Sequence, residues 1–318
     1  IQGVQRNSIS MVDSSNAMRA SQPIRRGRLY LFFRQRSTIA FMMVLPLLLI
    51  VGCLVAYPFA YSIYLSTLNK AETEFVGFSN FLFLFKRETF WMVVQQSVTF
   101  ALIAVLFKAL IGFIAAHAVN TIPSKGQRKW RGMMLVPWVI PPALSTLGWW
   151  WLFEPTYSAF NWILVELGLS EIPWLSDVFW ARFSIILVNV WVGAPFFLIM
   201  YLAALKSIPE DLYEAASIDG ASAWQKLIHI TIPMMRNIIA ITVLFSTIVT
   251  FANFDIVRVL TQGGPRNSTH LFASYSFRVG IESGDIPLGA AVSLFMFPVL
   301  AVLAFVILRN VRQRTVNI

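Results

Sequence analysis

The sequence has little charge and almost no cysteine. Only 13% of its 318 residues are charged and 57% are hydrophobic, whereas a soluble globular domain has about 25% charged residues. This apolar fraction exceeds what a soluble core can bury, so we expect the chain to lie in a lipid bilayer. The single cysteine, Cys53, excludes an intrachain disulfide and a cysteine-based zinc site.

The patterns that mark common enzymes are also missing. The sequence has no GxxxxGK[ST] phosphate loop, no HExxH metal site, no paired cysteines and no nucleophile–base constellation. We therefore expect no catalytic residue, no metal site and no cofactor in this chain. Acidic residues are few within the apolar segments, which argues against a carrier driven by protons or sodium.

Long intervals without a charged residue predict the membrane spans, each of which needs about 20 mostly apolar residues. Two intervals meet at Lys108 and are too close together for separate spans, so we interpret them as one long helix with Lys108 inside it. The prediction is an all-α polytopic membrane protein with about six transmembrane helices. The charge-free intervals lie between residues 36 and 70, 88 and 108, 108 and 125, 131 and 154, 182 and 206, 236 and 255, and 285 and 309.

Basic residues cluster in alternate segments between the spans. The net charge of +10 therefore indicates membrane orientation rather than a nucleic-acid partner. The positive-inside bias predicts that both termini are cytoplasmic. We expect a mobile N-terminal tail over residues 1–36, a transmembrane domain over residues 37–310 with a cytoplasmic loop at 206–235, and a short cytoplasmic tail over residues 311–318.

The polar loop before the fifth span has the signals of a helix, a turn and a second helix. Ser207 is the expected N-cap, and the acidic residues of Pro209–Asp211 would fall in the first turn, where the helix dipole favours negative charge. Alanines keep one face thin, and Gly220 would end the helix in a left-handed conformation. A second helix is expected from Ser222 to Ile230, ended by Pro233.

A gapped motif runs through this loop. Glu-Ala-Ala, three residues, Gly, nine residues and Ile-Thr-Ile-Pro follow one another from Glu214 to Pro233. This pattern resembles the EAA loop of ABC-type importer permeases, with Ile232 where the family has Leu; the alternative is an ordinary helical loop. The resemblance implies the transmembrane domain of a type I ABC importer, whose loop docks into a cleft on a separate ATPase subunit. The matching positions are Glu214, Ala215, Ala216, Asp219 and Gly220.

The resemblance also implies a set of partners. ATP and magnesium would be bound by two ATP-binding cassette subunits, and this chain would be a non-catalytic membrane subunit. A second, different permease subunit would complete the translocation path, and an extracytoplasmic solute-binding protein would deliver the substrate. The complex would lie in a bacterial cytoplasmic (inner) membrane.

Further segments look like those of sugar-importer permeases of the maltose and glycerol-3-phosphate type. They are Pro173–Leu175, Leu260–Thr269, and Trp151–Glu154 followed by Phe160–Asn161. The resemblance covers roughly residues 37–309 and implies carbohydrate import by alternating access. The substrate could be an oligosaccharide, including an acidic one such as a uronate oligosaccharide, or a sugar- or glycerol-phosphate. A gradient-driven secondary transporter and a membrane scaffold without transport are the alternatives.

Polar and aromatic side chains inside the spans are candidates for the substrate path. Such polar groups are costly in lipid, so they should face a bundle interior or water. Lys108 and Arg258 would attract an anionic substrate; alternatively, Lys108 snorkels toward the inner headgroups. The other candidates are Asn189, Trp191, Phe251, Asn253, Phe254 and Asp255.

Two further segments have an open interpretation. Gly263, Gly264 and Pro265 predict a tight turn at the outer membrane face, which is either a contact surface for the binding protein or a structural turn only. Trp149–Trp151, near the end of the third span, are interpreted as an interfacial belt or as cavity-lining residues.

Overall fold

The structure, a computed structural model, describes residues 36–156 and 158–315. In these ranges the regular secondary structure is helical, and an isolated antiparallel bridge joins Leu68 to Phe75. The predicted N-terminal tail lies outside the described residues except for Arg36, as do residues 316–318 of the predicted C-terminal tail. The chain divides into two compact units, residues 1–58 and 59–318.

The helices are numbered here in chain order. The first half contains α1 (Arg36–Val51), a π-helical turn (Gly52–Ala56), α2 (Tyr57–Ser66), α3 (Ser79–Phe85), α4 (Glu88–Asn120), α5 (Ser124–Val139), α6 (Pro142–Phe153) and α7 (Ala159–Glu166). The second half contains α8 (Val178–Lys206), α9 (Glu210–Ile218), α10 (Ala223–Lys226), a π-helical turn (Leu227–Thr231), α11 (Ile232–Phe251), α12 (Asp255–Leu260), α13 (Phe272–Phe277), a π-helical turn (Arg278–Glu282), α14 (Ile286–Leu294) and α15 (Met296–Thr315).

Five continuous helices in the described ranges are long and apolar enough to cross a membrane. They are Ala40–Ser66, Glu88–Asn120, Val178–Lys206, Ala223–Phe251 and Ile286–Arg309. The second of them is 33 residues long and contains Lys108, which confirms the prediction of a single helix there.

The segment predicted as the third span consists of two helices, α5 and α6. Ile140, between them, has an extended backbone with φ −68° and ψ 132°. The two prolines that follow, Pro141 and Pro142, explain this break, because a proline lacks the N–H donor and disfavours the helical conformation of the residue before it. The sequence placed the apolar segment correctly but did not predict its division.

Helices α4 and α8 form the centre of the second unit. A β-carbon added at Gly112 would lie 2.3 Å from Cβ of Phe197, so the two helices approach each other closely because α4 has a glycine at this point. Phe197, Tyr201 and Met235 belong to the buried cluster beside this contact. The cluster therefore joins α4, α8 and α11 into one packed group.

A second apolar cluster lies around the break between α11 and α12. It includes Phe100, Phe153, Ile185 and Val257, and Trp149 and Trp150 pack against it. Trp151, in contrast, is 71% exposed. Two of the three tryptophans therefore contact the core, and the third is open to the surroundings.

Candidate functional site

The predicted cytoplasmic helix is α9, Glu210–Ile218, with Glu210 and Asp211 in its first turn. The prediction that Ser207 caps this helix was wrong. Ser207 ends α8 instead, where its Oγ donates to the carbonyl of Ala204 at 2.7 Å. The helix begins after Pro209, since Ser207 is the C-cap of α8, which ends at Lys206.

Gly220 ends α9 in the way the sequence predicts. Its φ is +77°, a conformation that glycine adopts without steric cost. The amide of Ala221 donates to the carbonyl of Ala216 at 2.8 Å, and the amide of Gly220 donates to Ser217 at 3.1 Å. A β-carbon at Gly220 would meet nothing within 4 Å, so the requirement for glycine comes from the backbone alone.

The surface of α9 is open to a partner. Glu214, Ala215 and Asp219 are exposed, and Ala216 is half-buried. Ile218, at the end of the helix, is 87% exposed. A thin helix with an acid on one side and a bare aliphatic tip has the shape to enter a groove.

Hydrogen bonds fix α9 to the start of the next long helix. Tyr213 Oη lies 2.8 Å from Thr231 Oγ1, and Lys226 Nζ donates to Ser217 Oγ at 2.6 Å. Tyr213 also packs against the cluster around Phe197. A displacement of α9 would therefore be transmitted to residue 231, immediately before α11.

Pro233 does not end the second helix, contrary to the prediction. The helix starts at Ser222, which forms a capping box with Gln225, and continues as one segment from Ala223 to Phe251. The π-helical turn Leu227–Thr231 ends two residues before Pro233, which lies in the first turn of α11. Such a turn widens the hydrogen-bond spacing, so it accommodates a proline ring that would clash with a regular α-helical carbonyl.

Lys108 is buried in the bundle, with 4% of its surface exposed. Its Nζ donates to Thr250 Oγ1 at 2.9 Å, and that hydroxyl donates to the carbonyl of Ser246 at 2.6 Å. A β-carbon at Gly193 would lie 2.7 Å from Lys108 Cε, so the lysine lies against the α8 backbone. The alternative in which Lys108 snorkels toward the headgroups is therefore wrong.

The helix interruption at residues 252–254 follows Thr250 directly. Two amide oxygens in this part of the bundle, Asn189 Oδ1 and Asn253 Oδ1, are buried without a hydrogen-bond partner among the described residues. Asp255, at the start of α12, is exposed. Buried polar groups normally have partners, so these two oxygens are orphaned acceptors within the described ranges.

The aromatic candidates have structural contacts. Phe251 is buried, and its ring centroid lies 6.5 Å from that of Phe272 in a stacked arrangement. Phe254 lies 5.1 Å from Phe277. Trp191 meets Trp149 edge-on at 5.5 Å and lines an apolar groove of about 380 Å³. All of these contacts are with other aromatic rings, and none of them is with Lys108.

Arg258 does not offer a free charge. It forms an ion pair with Glu282, and its guanidinium carbon lies 5.1 Å above the ring of Phe277. Lys108, in contrast, has no ion-pair partner among the described residues. Lys108 and Arg258, which the sequence analysis grouped together, are therefore different. Arg258 is neutralised by Glu282, whereas the partner of Lys108 is the hydroxyl of Thr250.

The Gly263–Pro265 turn surrounds a histidine that the sequence analysis missed. A β-carbon at Gly263, whose φ is +89°, would lie 2.1 Å from the ring of His270. The loop is closed by Thr269, whose Oγ1 donates to the carbonyl of Gly264 at 2.7 Å. The glycine is therefore needed both for its conformation and for the close approach of the ring, which only tertiary packing reveals.

Both ring nitrogens of His270 have partners. Nε2 lies 3.1 Å from Arg278 Nη1 and Nδ1 lies 3.1 Å from Ser274 Oγ. A guanidinium can only donate, so Nε2 accepts and the neutral ring has its proton on Nδ1. Burial first, and then the charge of Arg278, lower the pKa of His270 to about 4. Arg278 also bonds Asn267, so the histidine and the arginine together support the loop that contains Gly263.

Asn161, which belongs to the Phe160–Asn161 segment of the resemblance, holds the Pro173–Leu175 segment. Asn161 Oδ1 accepts from Trp174 Nε1 at 2.9 Å and from the amide of Ile172 at 3.1 Å. Its amide nitrogen donates back to the Ile172 carbonyl at 3.0 Å. The residue types in the motif gave no sign of this pairing because it joins positions 11 to 13 residues apart in a loop.

Comparison with known proteins identifies relatives of this chain. Residues 108–317 match the model of the family described as binding-protein-dependent transport system inner membrane component. The chain is 33% identical over 277 residues to the trehalose/maltose transport system permease protein of Thermococcus litoralis, covering 86% of this chain and 92% of that protein. It is 31% identical over 281 residues to the sulfoquinovosyl glycerol transport system permease protein of Agrobacterium fabrum, covering 87% and 91%.

A solved structure has the same fold. It is the crystal structure of a bacterial ABC transporter involved in the import of the acidic polysaccharide alginate, of which one chain superposes with a TM-score of 0.77. The identity is 24%, and the match covers 90% of this chain and 99% of that chain. The predicted all-α transmembrane domain of an importer is confirmed.

Proposed function

This chain belongs to the family of binding-protein-dependent transport system inner membrane components, and from that premise we propose that it is the permease subunit of an ATP-driven importer for a carbohydrate. The curated relatives include permeases named for trehalose, maltose and sulfoquinovosyl glycerol. Family membership favours this function over a gradient-driven secondary transporter or a scaffold. The chain is a membrane transport component, and ATP hydrolysis belongs to separate subunits.

The observation that carries the proposal is the position of α11 between two candidate sites. One end follows Thr231, which bonds Tyr213 of the exposed helix α9. The other end contains Thr250, which bonds Lys108. Since α11 has 20 residues and a helix rises about 1.5 Å per residue, these ends are about 30 Å apart. A displacement of α9 would therefore move α11 as a rigid helix, and the far end of α11 lies next to the buried polar groups.

The proposed transport cycle depends on this movement of α11. A solute-binding protein presents the substrate on the outer side, where the loop of Gly263, Gly264 and Pro265 is a contact candidate. Two ATP-binding subunits close on ATP and displace α9 through Glu214, Ala215, Ala216, Asp219 and Gly220. The cavity, completed by a second permease subunit, opens outward and then inward. Both termini and α9 are cytoplasmic in this scheme.

The proposed substrate is an acidic oligosaccharide. Lys108 has an ammonium group with three donors and one hydrogen-bond partner, Thr250, among the described residues. The orphaned oxygens of Asn189 and Asn253 would accept from sugar hydroxyls. A carboxylate-bearing sugar complements this mixed set of donors and acceptors. A sugar- or glycerol-phosphate is the second candidate, because the same ammonium would bind a phosphate.

Reconstitution tests the proposal. The chain is co-expressed with candidate ATP-binding, permease and binding proteins from the same source, and the purified assembly is placed in proteoliposomes. Uptake and ATP hydrolysis are measured with neutral, uronate and phosphorylated saccharides at equal concentration. The proposal requires ATP hydrolysis stimulated by loaded binding protein and uptake that is strongest for uronates. A chain that purifies alone and drives gradient-coupled uptake would contradict it.

A further inference from the structure

A cleft between α4 and α8 has chemistry that the transport proposal does not use. It has a volume of about 450 Å³, and its lining is polar at one end and apolar along the rest. Gln95, Gln96, Thr99 and Arg182 line it near the beginnings of the two helices, and Ile103 and Ile186 are among the apolar residues farther along. Both helices begin on the side that the charge pattern assigns to the outer face.

Gln96 marks the polar end as a binding site. It is 96% buried, with 4% of its surface exposed, yet its amide forms no hydrogen bond with any other described residue. Neighbouring Ser97 is also buried, but its hydroxyl accepts from the amide of Phe272 at 3.1 Å. The amide of Gln96 instead lines the cleft and is available to a polar group that enters it.

Arg182 gives this end a positive charge. Its Nε donates to the carbonyl of Ser268 at 3.0 Å, which fixes the plane of the guanidinium. No carboxylate among the described residues forms an ion pair with Arg182. The ion pair found in the described ranges joins Arg258 to Glu282. The terminal nitrogens of the guanidinium remain as donors for an anion, and an arginine binds phosphate well in this geometry.

The apolar part has the length of a lipid tail. From Ile103 to Ile111 along α4 the apolar part extends 8 residues (111 − 103), which is about 12 Å at about 1.5 Å per residue. One leaflet of the hydrocarbon core is about 15 Å thick, half of about 30 Å. The apolar walls, which include Phe107, Phe179 and Phe183, offer no hydrogen-bond partners to the hydroxyls of a sugar, but they suit an acyl chain.

We infer that this cleft is a binding site for an anionic phospholipid of the outer leaflet, with its phosphate at Arg182 and Gln96 and an acyl chain along α4 and α8. The lipid would contact the amide of Gln96 and the guanidinium of Arg182 together. The site is separate from Lys108 and from α9, so the lipid would be a bound structural component of the transmembrane bundle rather than cargo.

The test measures lipid retention by the assembled membrane complex. The complex is purified from nanodiscs containing equal amounts of phosphatidylglycerol and phosphatidylcholine, and retained lipids are quantified by native mass spectrometry. Wild type should retain phosphatidylglycerol selectively. Arg182→Gln and Gln96→Leu should each lower that retention about tenfold, the equivalent of about 1.4 kcal/mol. Equal retention of the two lipids, or unchanged retention in both variants, would overturn the site.

Two further variants separate charge from folding. Arg87→Gln removes an arginine at the start of α4 that lies 4.4 Å above the Phe83 ring and does not line the cleft, so retention should stay at the wild-type level. Ile186→Trp fills the apolar part while keeping Arg182, and it should displace the lipid. Retention that persists with Ile186→Trp would contradict the proposal.

A photo-crosslinker at position 186 decides what occupies the cleft. An adduct with the mass of a phospholipid supports the inference, whereas an adduct with a partner polypeptide overturns it. Neither readout depends on transport. A failure here would therefore leave the importer proposal intact, and a failure of uptake would leave the lipid site intact.

Discussion

Replacing Lys108 by methionine should separate stability from transport. The lysine is 4% exposed and has one hydrogen-bond partner, Thr250 Oγ1 at 2.9 Å, with no acid paired to it among the described residues. A buried charge without an ion-pair partner costs free energy, and an apolar group of similar volume removes that cost. Methionine has nearly the same length and fits beside Gly193. Lys108→Met should therefore raise or preserve the melting temperature of the complex.

The same change should impair uptake of an acidic saccharide. A hydrogen bond to a charged group is worth about 1.5–3 kcal/mol, so its loss corresponds to roughly a tenfold to hundredfold decrease in apparent affinity. Uptake of a neutral saccharide of the same length should change little. The assay compares concentration-dependent uptake of the two saccharides in proteoliposomes, with melting curves from the same preparations.

Thr250→Val is the matched control. It leaves the Lys108 ammonium buried without its hydroxyl partner, so it should destabilise the complex by about 1–3 kcal/mol. A structural lysine would give the opposite pattern: Lys108→Met would lower the melting temperature and leave the acidic and neutral saccharides equally well transported. That result would refute the reasoning.

Three further perturbations test the loops. Gly263→Ala places a methyl group 2.1 Å from the His270 ring and should weaken binding-protein docking at the outer face while basal ATP hydrolysis persists, as binding titrations would report. The pKa of His270 is about 4, below its unfolded value of about 6.5, so its stabilising effect is complete above pH 6.5 and is lost as the pH falls toward 4. Hydrogen exchange in residues 261–278, corrected for intrinsic rates, should therefore be faster at pH 5 than at pH 7. Tyr213→Phe removes the bond to Thr231 and should cost about 1 kcal/mol, with less uptake per ATP hydrolysed while the ATPase stays bound.

Charge spacing predicted the main helices but not where they are interrupted. Lys108 lies inside one 33-residue helix, as the short charge-free intervals around it indicated. Prolines were ambiguous: Pro141 separates two helices, while Pro233 is accommodated by a π-helical turn. The outcome depends on neighbouring backbone geometry and packing, which a proline in the sequence does not reveal.

The candidate sites were predictable only where chemistry is local. Gly220 ends α9 because a glycine adopts positive φ easily, and this can be inferred from the motif alone. The close contact of Gly263 with His270 joins residues whose rings and backbone meet only after folding. Gln96 and Arg182 lie on different helices, and nothing in their sequence spacing indicates that they line the same cleft.

The central claim is that α9 transmits the movement of an ATPase to α11. The most direct measurement is substrate uptake per ATP hydrolysed by the reconstituted complex carrying Gly220→Val together with Glu214→Arg, compared with Gly220→Asn. Asparagine tolerates the left-handed conformation that Gly220 adopts at φ +77°, whereas valine does not. We predict that the double variant loses stimulated hydrolysis and uptake while Gly220→Asn retains both. A double variant that still binds its ATPase and transports at the wild-type ratio would contradict the account.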